Sequence, residues 1–133
     1  MNNVNNNVLK IVAQAFYGNR TETEVKRENV DAFVLGNIDG IIDKYEKVDR
    51  TIVNVPNADN IVIVYNKYQE EERLQRKEEL LNNEGYELKP VAVIPENNIE
   101  IYSRCIVCRI DSNGELDSLQ NGDYEKFVKY LAE

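Results

Sequence analysis

A long run of strand-forming residues ends in a turn sequence, and this combination constrains the fold more than any other feature of the chain. Ile99 to Ile110 is the longest predicted strand. The segment Asp111-Ser112-Asn113-Gly114 follows it directly, and Asp, Asn and Gly are the residues that hairpin turns favour. We therefore predict that Glu115 to Leu119 returns as a short strand and that the sheet is mostly antiparallel.

Other segments have the composition of strands. Ile61 to Tyr65 is a short, continuous apolar run, which is typical of a central strand covered on both faces. Thr21 to Asn29 is polar and is either an edge strand or a loop, and Ile41 to Val48 is either a strand or a short helix. Apolar, β-prone composition predicts further strands over Val30 to Gly36, Thr51 to Val55 and Leu88 to Ile94.

Three segments have the spacing of helices. Residues 6 to 17 carry apolar side chains at i, i+3, i+4, i+7 and i+8, which predicts an N-terminal helix. A highly charged segment from about 67 to 83 predicts a long central helix that ends at Gly85. Gly122 to Ala132 has an apolar helical face and predicts a C-terminal helix. The fold class is α+β: a mostly antiparallel sheet of about five to seven strands with these helices packed on it.

Length, charge and hydropathy limit the classes of function. The chain has 133 residues and a formal net charge of −8, so we expect one domain, 1–133, that does not bind duplex nucleic acid directly. No apolar run is long enough to span a membrane, and no secretory signal is recognisable at the N-terminus. We therefore expect a cytoplasmic location and no membrane partner.

The chain contains no histidine, which excludes serine–histidine and cysteine–histidine nucleophile systems and HExxH zinc sites. Cys105 and Cys108 have CxxC spacing, but side chains three apart on a strand point to opposite faces. We predict two buried, reduced thiols, no metal site and no catalytic residues. No cofactor motif is present either, because the chain contains no phosphate-binding loop and no GxGxxG sequence.

Two arginines inside a predicted strand are the best candidates for function. Burying an unpaired guanidinium is costly, so Arg104 and Arg109 need either an internal partner, such as Glu100 or Glu115, or an anionic ligand. An arginine beside an aromatic ring is suited to a planar anion, since the fork binds phosphate and the ring stacks. We predict a ligand site formed by Tyr102, Arg104, Arg109, Tyr65 and Tyr68.

These observations favour a non-enzymatic, cytosolic binding protein that sequesters a small anionic, nucleotide-like ligand. Small size, acidity and abundant Asn are in character with a phage or mobile-element accessory protein that counters host defence. One alternative is an acidic inhibitor of a basic host protein, an immunity protein or a DNA mimic. A carboxylate-based enzyme is the weakest alternative. A homo-oligomer is plausible through Ile99, Ile101, Tyr102 and the C-terminal helix.

Overall fold

The computed structural model describes residues 7–36 and 49–133, and these contain eight strands and three α-helices. In chain order the elements are β1 (Val8–Gln14), β2 (Arg20–Lys26), α1 (Val30–Gly36), β3 (Arg50–Asn54), β4 (Ile61–Asn66), α2 (Lys67–Glu84), β5 (Ala92–Ile94), β6 (Ile99–Ile101), β7 (Cys105–Ile110), β8 (Leu116–Asp117) and α3 (Tyr124–Phe127). Short 3-10 turns join several of them. The α+β class is confirmed.

The main sheet has the strand order β2-β1-β7-β4-β3, and every pair in it is antiparallel. β8 pairs with the C-terminal end of β7, where Ile110 lies opposite Leu116, so the predicted hairpin is confirmed. β5 and β6 form a separate two-stranded antiparallel sheet. The central strand is β7, which lies between β1 and β4, and its pairing with β4 places Val107 opposite Ile63.

Each face of the main sheet covers its own apolar core, because successive side chains of a strand point to opposite faces. We call the two the first core and the second core. The first core includes Val12, Ile63, Cys105 and Val107, which pack against residues of β5, β6 and the C-terminal segment. The second core includes Leu9, Ile11, Val62, Val64, Ile106 and Cys108, which pack against Val30 and Val34 of α1.

The predicted helix over residues 6 to 17 is wrong, because Val8–Gln14 is a strand in the interior of the sheet. β1 lies between β2 and β7, and both of its faces are covered. Ile11 and Ala13 enter the second core while Val12 enters the first. A strand buried on both faces loses its alternation of polar and apolar residues, and it then resembles a buried helix in sequence.

The predicted strand over Val30 to Gly36 is also wrong, because this segment is helix α1. Val30 and Val34 are buried, whereas Asp31 and Ala32 are exposed. This spacing of four residues is that of one helical face, and it brings the two valines into the second core. The ambiguous segment Ile41 to Val48 lies outside the described residues.

The long charged helix is confirmed as α2, Lys67–Glu84. Its first turn is capped by Asn66, whose side-chain oxygen accepts a hydrogen bond of 3.2 Å from the backbone N–H of Tyr68. Its last turn ends at Gly85, where φ is +65°, a conformation that favours glycine. No helix of the described residues has the length and the apolarity that a membrane span requires.

Three other predictions are confirmed at least in part. Thr51 to Val55 corresponds to β3, Ile61 to Tyr65 to the interior strand β4, and the polar segment after Asn19 to the edge strand β2. Only Ala92–Ile94 of the predicted strand Leu88 to Ile94 is strand. The C-terminal helix is short: α3 covers Tyr124–Phe127 and a 3-10 turn continues to Tyr130.

Candidate functional site

The start of α2 interrupts the predicted strand from Ile99 to Ile110. The backbone N–H groups of Tyr102 and Ser103 donate to the buried carboxylate of Glu70 at 2.8 to 3.1 Å. The N–H of Arg104 donates to the Gln69 side chain at 2.9 Å. Because these donors bond to a helix and not to a neighbouring strand, residues 102–104 separate β6 from β7 and turn Arg104 out of the sheet.

Arg104 thereby reaches an aromatic ring beyond the end of β1. Its guanidinium carbon lies 4.6 Å from the centroid of the Phe16 ring. The guanidinium carbon of Arg73, on α2, lies 3.9 Å from the same centroid. We call Phe16, Tyr17, Arg73 and Arg104 the Phe16 site. It joins the loop after β1, the first half of α2 and the break before β7.

The loop that carries Phe16 and Tyr17 is tight and strained. The backbone N–H of Ala15 donates to the carbonyl of Asn19 at 2.6 Å, which closes the turn. Tyr17 adopts φ of +63°, a left-handed conformation that costs a residue with a Cβ on the order of 1 kcal/mol. Its side chain is 91% exposed, so packing does not hold it there. Backbone strain of this kind is often found at functional sites.

Positive charge is concentrated and partly desolvated at the Phe16 site. Burial lowers the pKa of the Arg73 guanidinium, and the nearby charges of Arg104 and Arg76 lower it further, while Tyr17 and Glu70 oppose the shift. Arg73 Nε is buried and has no hydrogen-bond partner among the described residues. A buried polar N–H without a partner is costly, so an acceptor at this position would stabilise the arrangement.

Arg109 has a different environment. Its Nε and Nη2 atoms donate to the two carboxylate oxygens of Asp123 at 2.6 and 2.8 Å. Asp123 is 1% exposed, and the hydrogen bond from Arg109 lowers its pKa. The pair joins β7 to the start of α3 and neutralises both charges. The structure therefore places Arg109 outside the Phe16 site, and its partner is Asp123, not the expected Glu100 or Glu115.

The predicted tyrosines are separated from one another. Tyr102 is buried, and its hydroxyl donates to Glu100 at 2.9 Å. Burial raises the pKa of Tyr102 to about 12, and the hydrogen bond to Glu100 adds to the shift. Because residues 102–104 are not in a strand, Tyr102 and Arg104 do not share a strand face as expected.

Tyr65 and Tyr68 occupy the junction between β4 and α2. Tyr65 packs against the first core, and burial, followed by the charges of Glu70 and Cys105, raises its pKa. Tyr68 lies in the first turn of α2 and is 41% exposed. Of the five predicted site residues, only Arg104 belongs to the Phe16 site.

Sequence reasoning missed Phe16, Tyr17 and Arg73. Phe16 was assigned to the apolar face of a helix that does not exist, and Arg73 to a solvated helix surface. The available signal was two adjacent aromatics directly before Gly18-Asn19, because a turn sequence at that point exposes at least one of the rings.

Cys105 and Cys108 are free, buried thiols, as predicted. Cys105 belongs to the first core and Cys108 to the second, so their side chains lie on opposite faces of β7. Burial raises the pKa of each thiol to about 12, which keeps both protonated near neutral pH. Within residues 7–36 and 49–133, no group of three or more carboxylates and thiols is arranged to hold a metal ion.

Three clefts open on the described surface. A cleft of about 360 Å³ beside the Phe16 site is lined by Glu72, Arg73, Gln75, Arg76 and Glu79. One of about 440 Å³ lies between α2 and the β5–β6 sheet, and one of about 730 Å³ lies between the β1–β2 hairpin and the loop before α3. Of the Phe16 site, Arg73 alone lines the first of these clefts, which runs along the side chains of α2.

Comparisons of the chain with protein families, with curated proteins and with solved structures find no match. The functional proposal therefore depends on the chemistry of the Phe16 site.

Proposed function

We propose that this protein is a non-catalytic binding protein that captures a small anionic, nucleotide-like ligand at the Phe16 site. One observation carries the proposal: the guanidinium groups of Arg73 and Arg104 lie over one phenyl ring, at 3.9 and 4.6 Å from its centroid. Each cation is attracted to the face of the ring, but the two repel each other. An anion bound beside both would remove that repulsion.

The hydrogen-bonding capacity of Arg73 supports an oxyanion as the ligand. Its Nε is buried without a partner among the described residues. A phosphate or carboxylate oxygen accepts from guanidinium N–H groups in a two-point geometry, which is stronger than a bond between neutral groups. The ligand would accept from the N–H groups of this fork.

The exposed Tyr17 ring supports a ligand that also has a planar ring. Tyr17 is 91% exposed and is held in a left-handed conformation next to Arg73. A nucleobase stacking on such a ring gains about 1–3 kcal/mol. Phosphate on Arg73 and a base on Tyr17 together match a mononucleotide or a nucleotide derivative.

The overall charge favours a small ligand over a nucleic-acid polymer. The net charge is −8, so a long polyanion would be repelled by most of the surface. Glu72 and Glu79 line the same cleft as Arg73 and limit the space for further phosphates. A ligand with one or two phosphates avoids most of this repulsion.

Isothermal titration calorimetry with AMP, cyclic AMP and ADP-ribose tests the proposal. We expect saturable binding of at least one of these probes. Arg73→Gln should weaken it roughly tenfold or more, since a charged hydrogen bond contributes about 1.5–3 kcal/mol. Lys67→Gln is the matched control, because it removes the same charge from an exposed position of the same helix. It should change affinity less than about twofold.

Two results would contradict the proposal. One is the absence of binding for every probe in the panel. The other is equal loss of affinity in Arg73→Gln and Lys67→Gln, which would indicate attraction by general charge and not by the Phe16 site.

The biological setting that we propose is the cytoplasm of an infected cell, with the protein acting as a phage or mobile-element accessory that withdraws a nucleotide-like defence signal. Small size, acidity and abundant Asn support this setting. Expression of the chain in cells with a nucleotide-signalling defence should restore phage growth. Expression of Arg73→Gln at the same level should not.

An acidic inhibitor of a basic protein is the second candidate. The observation in its favour is the exposure of Glu71, Glu78 and Glu84 on α2, together with Glu22 and Glu24 on the edge strand β2. Association through such a surface would be fast and would weaken steeply as salt is added. A captured basic partner whose affinity does not change between low and high salt would remove this candidate.

A further inference from the structure

Most of α2 lies outside the two cores. Of its residues, only Gln69 and Glu70, in the first turn, are buried. Every residue from 81 to 87 is exposed, and the leucines Leu74 and Leu81 are 41% and 52% exposed. An isolated helix with a polar surface is marginal in water, so a projecting helix of this length gains stability from a partner.

The exposed leucines lie on one face of α2. Leu74 and Leu81 are two helical turns apart, which places them one above the other. Lys77 and Glu78 lie between them on the same face. A stripe of apolar, charged, apolar residues is typical of a helix that pairs with another helix.

This stripe is complementary to itself in the antiparallel direction. When a second α2 is aligned antiparallel so that Lys77 of each copy meets Glu78 of the other, Leu74 falls opposite Leu81. Each contact occurs twice about a two-fold axis, so the interface is closed, and each Lys77 meets a Glu78 of the other copy.

The cleft between α2 and the β5–β6 sheet has room for a side chain of the partner helix. It measures about 440 Å³ and is lined by Leu74, Lys77, Val93, Ile99 and Tyr102, among others. An isobutyl side chain that enters it would contact Leu74, Val93 and Ile99, while Asn98 and Glu100 also line the cleft. The side chain that the antiparallel alignment brings to Leu74 is Leu81 of the second copy.

We propose that a second copy of this chain docks on the α2 face, with the two α2 helices antiparallel about an axis between Lys77 and Glu78. This surface overlaps the one expected from sequence only at Ile99 and Tyr102, which line the cleft. Of the surface expected from sequence, Ile101 and Tyr102 are buried in the protein's own interior, as is Phe127 of the C-terminal helix. The proposal is independent of the Phe16 site.

Sedimentation equilibrium of the full chain tests the dimer. We expect the wild-type mass to rise from 15.4 kDa toward twice that value as concentration increases. Leu81→Glu should raise the dissociation constant roughly tenfold or more, because it places a charge against the apolar cleft. Tyr68→Glu is the matched control, since Tyr68 is similarly exposed on the same helix but lies off the stripe. It should leave the constant unchanged.

A charge-swap pair defines the register. Lys77→Glu alone creates two rows of paired glutamates, and Glu78→Lys alone creates two rows of paired lysines, so each variant should be monomeric. An equimolar mixture of the two variants restores opposite charges in both rows and should sediment as a dimer. Far-ultraviolet circular dichroism verifies that each variant is folded.

The proposal is overturned if the wild type remains a monomer at every concentration. It is also overturned if the wild type dimerises but neither Leu81→Glu nor the single charge variants weaken the dimer, since the interface would then lie elsewhere. A mixture that stays monomeric while both single variants are monomeric would exclude the antiparallel register.

Discussion

Arg104 and Arg109 lie five residues apart in one segment of an acidic chain, yet they have opposite environments. Arg109 forms two hydrogen bonds with the buried carboxylate of Asp123. Arg104 leaves the sheet and reaches the Phe16 ring, which it shares with Arg73. An arginine within a sheet is therefore ambiguous by itself. Its role depends on the groups that the fold places beside it, a buried carboxylate for Arg109 and an aromatic ring for Arg104.

The Arg109–Asp123 pair should contribute more to stability than an exposed ion pair of the same chemistry. Asp123→Asn leaves Arg109 without its charged partner in a mostly buried position, so we expect the free energy of unfolding to fall by about 2 kcal/mol. Asp31→Asn is the control, because Asp31 pairs with Arg50 at 3.0 Å on an exposed surface. Asp31→Asn should lower the free energy of unfolding by less than about 0.5 kcal/mol.

Urea unfolding at neutral pH measures both free energies. Equal losses in Asp123→Asn and Asp31→Asn would contradict the distinction between a structural pair and a surface pair.

The same pair predicts a dependence on pH. The hydrogen bond from Arg109 lowers the pKa of Asp123 in the folded state. A carboxylate with a lowered folded pKa stabilises the fold above its unfolded-state pKa, which is about 3.9. That contribution is lost as the pH falls through the folded pKa. The difference in unfolding free energy between wild type and Asp123→Asn should therefore shrink below about pH 4.

Urea titrations at several pH values test this expectation. A difference that stays constant down to the lowest pH would show that the loss arises from packing and not from charge.

Arg73, in contrast, should contribute little to stability. Its guanidinium is partly desolvated beside two other cations, so Arg73→Gln removes an attraction to the Phe16 ring but also a repulsion. We expect the free energy of unfolding to change by less than about 0.5 kcal/mol, while ligand affinity falls. Conversely, a conservative change at Arg109 should lower stability and leave the affinity of the folded protein unchanged.

Thermal unfolding measures the stability of the Arg73 and Arg109 variants, and calorimetry measures their affinity for the ligand. A large loss of stability in Arg73→Gln would show that the Phe16 site is a structural cluster.

The smallest effect is expected at Tyr17. Asn tolerates the left-handed conformation better than Tyr, and the Tyr17 ring is 91% exposed, so little packing is lost. Tyr17→Asn should raise the free energy of unfolding by about 0.5 kcal/mol. It should weaken nucleotide binding and leave the binding of inorganic phosphate unchanged. A loss of stability would mean that the strain is compensated by contacts of the tyrosine itself.

Much of the fold could be predicted from local sequence. The apolar run Ile61 to Tyr65, the charged helix ending at Gly85 and the turn at Asp111 each correspond to the expected element. These segments carry signals that depend on near neighbours: continuous burial, helix capping and turn chemistry. The α+β class follows from them without knowledge of any long-range contact.

Two elements could not be predicted because their environment is set by distant residues. Val8–Gln14 is a strand because β2 and β7 cover its edges and two cores cover its faces. Val30–Gly36 is a helix that brings Val30 and Val34 into the second core and leaves Ala32 exposed, whereas a strand would place all three on one face. In both segments the apolar residues are compatible with either structure.

The candidate site also contains one residue that could be recognised from the sequence and others that could not. Arg104 was recognisable because a charged side chain in an apolar segment needs an explanation. Arg73 was not, because arginines on a charged helix are ordinary. Their common contact, Phe16, depends on the loop after β1 and on the hydrogen bonds from residues 102–104 to Gln69 and Glu70.

The sequence by itself determined the class of fold, the long helix, the buried thiols on opposite faces and the absence of histidine chemistry, because these depend on composition and on short-range periodicity. Only the tertiary structure decided which carboxylate pairs with Arg109 and which two cations share a ring. Electrostatic and aromatic contacts act over a few ångströms in space, and residues 16, 73 and 104 are brought within that range only when the sheet and α2 have assembled.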